Sequence, residues 1–278
     1  MAYQIVVCGT LVPDPLQTLE PIAGQGRPAL KNELMLPAVL DPWAGHALTE
    51  AATLAQAHPG SKVWLVALGP KAKLQQVMMT VAQKVPFELV AIDGPASGFC
   101  DSFETAAALA DAIRGIAGLG IAGLGIAETD LANLLLFGGW ESASRGSGST
   151  LQMVGERLGI TEQFQGVDRV TVLPEGGFEI LERVEGGKHQ VSVLSGGPAV
   201  FGWATGYLAE PRNNPQVGMA NMRLVMPALQ KAKAVALPGE GLSYQSVALP
   251  KQQRVTRIVK DQPAAEIARE IVAWISEE

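Results

Sequence analysis

Two cysteines and three histidines in 278 residues leave little to hold a metal. Cys8 and Cys100 form no CxxC pair, and His46, His58 and His189 are scattered without ligand spacing, so zinc and iron–sulfur chemistry find no support. Basic residues are the minority: 21 Lys and Arg against 27 Asp and Glu give a net charge of -6, which argues against a nucleic-acid partner. No run of about 18 apolar residues occurs, so no membrane insertion is expected. The opening MAYQIVVCGTLVPDP lacks the basic flank of a secretory signal, and the chain reads as cytoplasmic. There is no GxSxG elbow and no nucleophile–histidine grouping by position. Glu20, Glu33 and Glu50 read as solvent-facing carboxylates, and the chain reads as a binder or carrier, not an enzyme.

What is present is apolar and alternating. Hydrophobic residues make up 47% of the chain, enough to fill an ordinary core. YQIVVCGTLV from Tyr3 is a continuous apolar run, as a strand buried on both faces requires. Asp41-Pro42-Trp43 then supplies a cap and a first-turn proline for a helix running to about His58. KVWLVALG (62–69) reads as a strand, 70–84 as a helix, FELVAID (87–93) as a strand and 101–115 as a helix. LANLLLFGG (131–139) is the next strand, and STLQMVGERLG (149–159) the helix after it. This alternation predicts a doubly wound, mainly parallel, Rossmann-like α/β sheet. Beyond Gly166 the pattern turns to an antiparallel extension (166–212), with turns at Gly176-Gly177 and Gly186-Gly187, and GGPAVFGWATG adds a short strand. The α/β nucleotide-binding domain is expected over 1–233. A C-terminal arm (234–278) ends in a helix whose Ile267, Ile271, Val272, Trp274 and Ile275 need a surface to cover them, such as another chain.

One segment departs from this order. GIAGLGIAGLGIA (115–127) repeats the unit GIAGL, and each glycine costs a helix roughly 1 kcal/mol relative to alanine. It reads as a small duplicated loop insertion.

Gly138–Gln152, GGWESASRGSGSTLQ, joins a strand to a helix. At the carboxyl end of a parallel strand, free N–H groups and the helix dipole favour an anion. Ser147, Ser149 and Thr150 add hydroxyls, and Gly146 and Gly148 allow close approach to the backbone, so a nucleotide phosphate fits as guest. Capping of the helix by Ser149 or Thr150 explains the same residues. Arg145 suits either a phosphate or solvent, and the turn matches neither a P-loop nor a strict GxGxxG.

Several segments in order resemble the beta subunit of the electron transfer flavoproteins: IVVCGTLVPDP, LDPWAGHALTEAATL, VALGP, LLLFGGWESASRGSGSTLQ, GGPAVFGWATGYLAEPR and PALQKAK. The resemblance covers nearly the whole chain. It implies a heterodimer with an alpha subunit that holds the redox FAD. It also implies AMP in this subunit, or a second FAD in electron-bifurcating relatives, and electron transfer between a dehydrogenase and a quinone-reductase-type or other acceptor. Carried over by position, the nucleotide would lie against Cys8, Asp41, Val66, Leu68, Gly139, Arg145, Gly148, Ser149 and Thr150.

The sequence departs from the family pattern in places. Arg145 stands at the family's acidic loop position, which favours AMP over a second FAD. Gly148-Ser149 replaces Asn-Gln, Asp41 replaces Asn, and Thr10-Leu11 replaces Lys-Arg. The segment Asn213–Met226 is longer than its family counterpart and is expected to be a docking loop, with Met219, Met222, Leu224 and Met226 as partner anchors. Two other readings stay open: a stand-alone adenine-nucleotide module or enzyme, and a scaffold without its nucleotide.

Overall fold

The computed structural model describes residues 1–24, 28–95, 99–116, 133–239, 241, 244–249 and 256–276. From residue 117 onward the GIAGL repeat lies outside them. The described chain divides into two compact units, Met1–Val247 and Ala248–Glu278.

The first unit is built on a sheet whose central strand is β1 (Gln4–Pro13). Its side chains alternate between two apolar layers. Ile5, Val7 and Leu11 enter one, and Val6 and Cys8 the other. That is why the sequence there is apolar without interruption. The far end of β1 turns from its parallel neighbours and pairs antiparallel with β4 (Ala38–Leu40), Leu11 opposite Leu40. Between them a separate hairpin, β2 (Pro21–Ala23) and β3 (Pro28–Leu30), forms a two-stranded sheet.

From β4 the chain enters α1 (Pro42–Ala57), then β5 (Lys62–Gly69), α2 (Lys71–Val81) and β6 (Glu88–Asp93). β5 lies parallel to β1 with Ile5 opposite Val63, and β6 lies parallel to β5. α3 (Ser102–Arg114) follows, then β7 (Leu134–Gly139), parallel to β1 on its other side, and α4 (Thr150–Arg157). α1 and α2 pack Ala47, Leu48, Leu74 and Met78 onto one face of the sheet. α3 and α4 pack Leu109, Ile113, Leu151 and Val154 onto the other. The protein is therefore a doubly wound α/β fold.

The antiparallel extension comprises β8 (Gln163–Val172), β9 (Phe178–Val184) and β10 (Lys188–Leu194). β11 (Ala199–Trp203) then returns between β7 and β8, parallel to both. The main sheet thus runs β10-β9-β8-β11-β7-β1-β5-β6-β12, where β12 is Lys233–Ala234. The expected boundary at 233/234 falls inside this last strand, because β12 adds to the edge of β6. The division comes instead at Val247/Ala248.

Residues 213–226 are not a loop. They form most of α5 (Pro215–Gln230), which starts with the Asn214 side chain accepting from the Gln216 and Val217 N–H groups and with proline in the first turn. Val225 and Leu229 bury against the α1/α2 layer, and Asn221 donates to the Ala82 and Val85 carbonyls at 2.7 Å each. The second unit contains α6 (Ala264–Ser276), none of whose described residues is buried. Among the described residues no helix is long and apolar enough to cross a membrane.

Candidate functional site

The order of winding creates one crevice. From β1 the chain moves outward through β5 and β6, then α3 carries it back across β1 to β7. Helices leave β1 and β7 in opposite directions, so their carboxyl ends are left uncovered between them, which is where open α/β sheets bind ligands. A cleft with about 90 Å3 of enclosed space lies there. Its lining includes Cys8, Thr10, Asp41, Leu68, Cys100, Ser102, Thr105, Gly139, Glu141, Arg145, Ser147 and Thr150.

The end of β7 has to be bare for the walls to close. A Cβ on Gly139 would stand 2.6 Å from the Trp43 Cβ, and one on Gly138 would stand 2.9 Å from Leu151 Cδ1. Gly148 has φ of +63°, and a Cβ there would lie 2.8 Å from the Trp140 carbonyl oxygen. Its glycine therefore serves the closing of the turn itself, a use that close approach of a phosphate does not require.

Asp41 ties the two walls together. Oδ1 accepts from the Trp43 N–H at 3.1 Å and caps α1, while Oδ2 accepts from the Ala143 N–H at 3.0 Å, far along the chain. The residue is 3% exposed. Burial pushes its carboxyl up to about 6, backbone N–H donors oppose the shift, and nearby Glu141 adds to it. With both oxygens engaged by the backbone, Asp41 is a brace of the cleft. Asp101 plays the matching part for α3, its Oδ1 accepting from the Phe103 N–H at 2.9 Å.

α4 differs. Ser149 precedes it, and no side chain caps its first turn. The leading N–H groups of a helix need acceptors and carry the positive end of its dipole. Around this start the hydroxyls converge: Ser102 Oγ lies 3.4 Å from Ser147 Oγ, and Ser147 Oγ lies 3.4 Å from Ser149 Oγ. Arg145 crosses the cleft, its Nη1 donating to the Cys100 carbonyl at 2.6 Å. One wall is thus rich in donors and open to an anion. Glu141, in the same loop, adds an acceptor to the lining.

Of the residues singled out from sequence, Cys8, Asp41, Leu68, Gly139, Arg145 and Thr150 line this cleft. Val66 does not. It faces the same layer as Leu68 but sits two residues deeper in β5, fully buried. Gly148 and Ser149 are not among the lining residues; they complete the turn between Ser147 and Thr150, with Ser149 Oγ 3.4 Å from Ser147 Oγ. Cys8 is buried and its thiol is pushed up to about 12 by that burial, so it packs without acting as a nucleophile. Asp101, Ser102, Thr105 and Glu141 were not singled out for the site. The signal available was the Asp101-Ser102 start of a helix after a strand, the same pattern that marks Asp41-Pro42.

The expected partner anchors divide. Met222 and Met226 pack against the core, whereas Met219 and Leu224 are 66% and 53% exposed on α5. At 3.6 residues per turn Leu224 points away from Met222 and Met226, while Met219 lies on their side of the helix but nearer its start.

A doubly wound sheet with a donor-rich crevice at its crossover defines a Rossmann-like α/β protein. Comparison with known families narrows this. Residues 32–222 match the electron transfer flavoprotein domain, and the chain belongs to that family. Its members carry electrons rather than catalyse reactions of their own. No curated protein matches the chain. Among the described residues no group of three or more potential metal ligands occurs.

Proposed function

We propose that this chain is the beta-type subunit of a heterodimeric electron transfer flavoprotein, with AMP in the β1/β7 cleft and the redox FAD held mainly by an alpha-type subunit. The observation that carries the proposal is the start of α4: an uncapped helix end beside three hydroxyls, in a crevice whose other two helix starts are capped by their own aspartates.

The residues suit a nucleoside monophosphate. The α4 N–H groups, with the Ser102 and Ser147 hydroxyls, would donate to the phosphate. Glu141 would accept from ribose hydroxyls or an amino group on the base. Arg145, tied to the Cys100 carbonyl, would narrow the mouth and add positive charge. FAD, when bound in the assembled protein, supplies the one-electron and two-electron chemistry. This chain's part is to bind, orient and shield. The exposed apolar residues of α6 (Ile267, Ile271, Val272, Trp274 and Ile275) fit a partner-covered surface. Met219 and Leu224 on α5 would meet the donor dehydrogenase, with a quinone-reductase-type or other acceptor next in line.

The test is to purify the chain alone and co-expressed with a flavin-binding alpha-type subunit, denature each, and identify the released small molecules by mass spectrometry. AMP from this chain, with FAD only in the complex, is the expected result. Two FAD per complex would replace AMP with a bifurcating arrangement, and ATP retained by the isolated chain would favour a stand-alone nucleotide module.

A further inference from the structure

After β12 the chain runs as a strap back along the cleft wall. The Val235 N–H donates to the Asp93 carbonyl at 2.8 Å. The Gly239 N–H donates to both carboxylate oxygens of Glu104, at 2.9 and 2.8 Å. Gly241 passes so close to Asp101 that a Cβ there would lie 2.5 Å from Oδ2. The Tyr244 ring stands edge-on to Phe99, centroids 5.9 Å apart, and its hydroxyl donates to the Phe99 carbonyl at 3.3 Å.

Among the described residues, the hydrogen bonds and the ring contact beyond Asp93 fall on residues 99–104, the entry and first turn of α3, while Leu237 packs against the apolar layer beneath α3. The same turn forms the cleft wall from its other side. There the Cys100 carbonyl receives Arg145, and Ser102 Oγ meets Ser147 Oγ. One stretch of backbone is therefore held by the strap on one side and by the phosphate-facing loop on the other.

We propose that the strap reads the occupancy of the cleft, with Glu104 and Tyr244 as positioning residues for a nucleotide they do not touch. The inference rests on the adenine-nucleotide reading above. A phosphate held between Ser102, Ser147 and the start of α4 fixes the 99–104 turn, and the fixed turn holds Gly239 and Tyr244 in place. Linkage works in both directions: what orders the strap must tighten the nucleotide by the same factor.

The experiment uses the full chain with AMP as probe. Calorimetry gives the affinity, and hydrogen exchange read by mass spectrometry follows the backbone around Gly239. The expected result is that saturating AMP slows exchange there roughly fivefold or more, within the usual range of coupling between sites. Tyr244→Ala should bind AMP roughly threefold to tenfold more weakly and lose the strap protection. Its melting temperature without AMP should stay within about 2 °C of the parent, since Tyr244 is 40% exposed. Glu104→Gln, of the same shape, should act in the same direction. AMP binding with unchanged exchange at the strap, or unchanged affinity in both variants, overturns the coupling and leaves the nucleotide site standing. Absence of AMP binding to the parent chain overturns both.

Discussion

α1 and α3 begin on aspartates that turn back onto their own first turns, Asp41 onto Trp43 and Asp101 onto Phe103, while α4 begins on Ser149 with its leading N–H groups left for another acceptor. All three starts face one crevice. A carboxylate cap stabilises a helix by roughly 1 kcal/mol, and it also occupies the place an anion would take. The two capped starts are closed to phosphate and serve as braces. The open start leaves its leading N–H groups without a side-chain cap. On the proposed reading, this local difference sets which side of the cleft takes the phosphate.

The largest expected effect tests the braces. Burial lifts Asp41 to about 6 from the ordinary 3.8, so the native chain holds an extra proton between those values. This group's contribution to stability therefore falls as pH rises from about 4 to about 6, and is level above that. The shift of two units corresponds to about 3 kcal/mol. Asp41→Asn should remove this dependence: parent minus variant stability, from urea unfolding, should fall by about 3 kcal/mol between pH 4 and pH 7. A constant difference would mean that Asp41 is not desolvated as the geometry indicates.

Next in size is the turn that opens α4. Gly148→Ala forces a side chain onto a backbone with φ of +63° and against the Trp140 carbonyl. It should cost roughly 2 kcal/mol, read as a lower denaturation midpoint. A neutral result would mean the turn can relax. The smallest effect belongs to the hydroxyls. Ser102→Ala removes one donor from the open side and should weaken AMP binding roughly threefold to tenfold, with little change in stability. An unchanged affinity would move the phosphate away from α3.

Much of this architecture was legible in the sequence because local signals agreed with the global fold. The run of apolar residues in β1, the Asp41-Pro42 start of α1 and the glycines closing β7 each carry their structural reason within a few residues. The docking segment was not legible in the same way. Asn213-Asn214-Pro215, Gly218 and Pro227 are loop-forming residues in number, yet Asn214-Pro215 is also a helix start. Burial of Asn221, Val225 and Leu229 against the body decides between the two. Val66 and Leu68 share a strand face, and only the depth of the sheet separates a core residue from a wall residue. Ser102 reaches Ser147 across the crossover, and no local pattern joins positions so far apart in the chain. The hydroxyls of the turn were visible, but their status as free donors or as helix caps depends on where each oxygen points.

The most direct test places a carboxylate at the start of α4. Ser149→Asp should hold or slightly raise the melting temperature, because a carboxylate at the start of a helix interacts favourably with its dipole. The same carboxylate would oppose a phosphate there. With AMP titrated calorimetrically into parent and variant, the account predicts that the parent binds and the variant is weakened roughly 100-fold, about 2.7 kcal/mol. Equal affinity in a folded Ser149→Asp chain would contradict it, since the open start of α4 could not then be what holds the nucleotide.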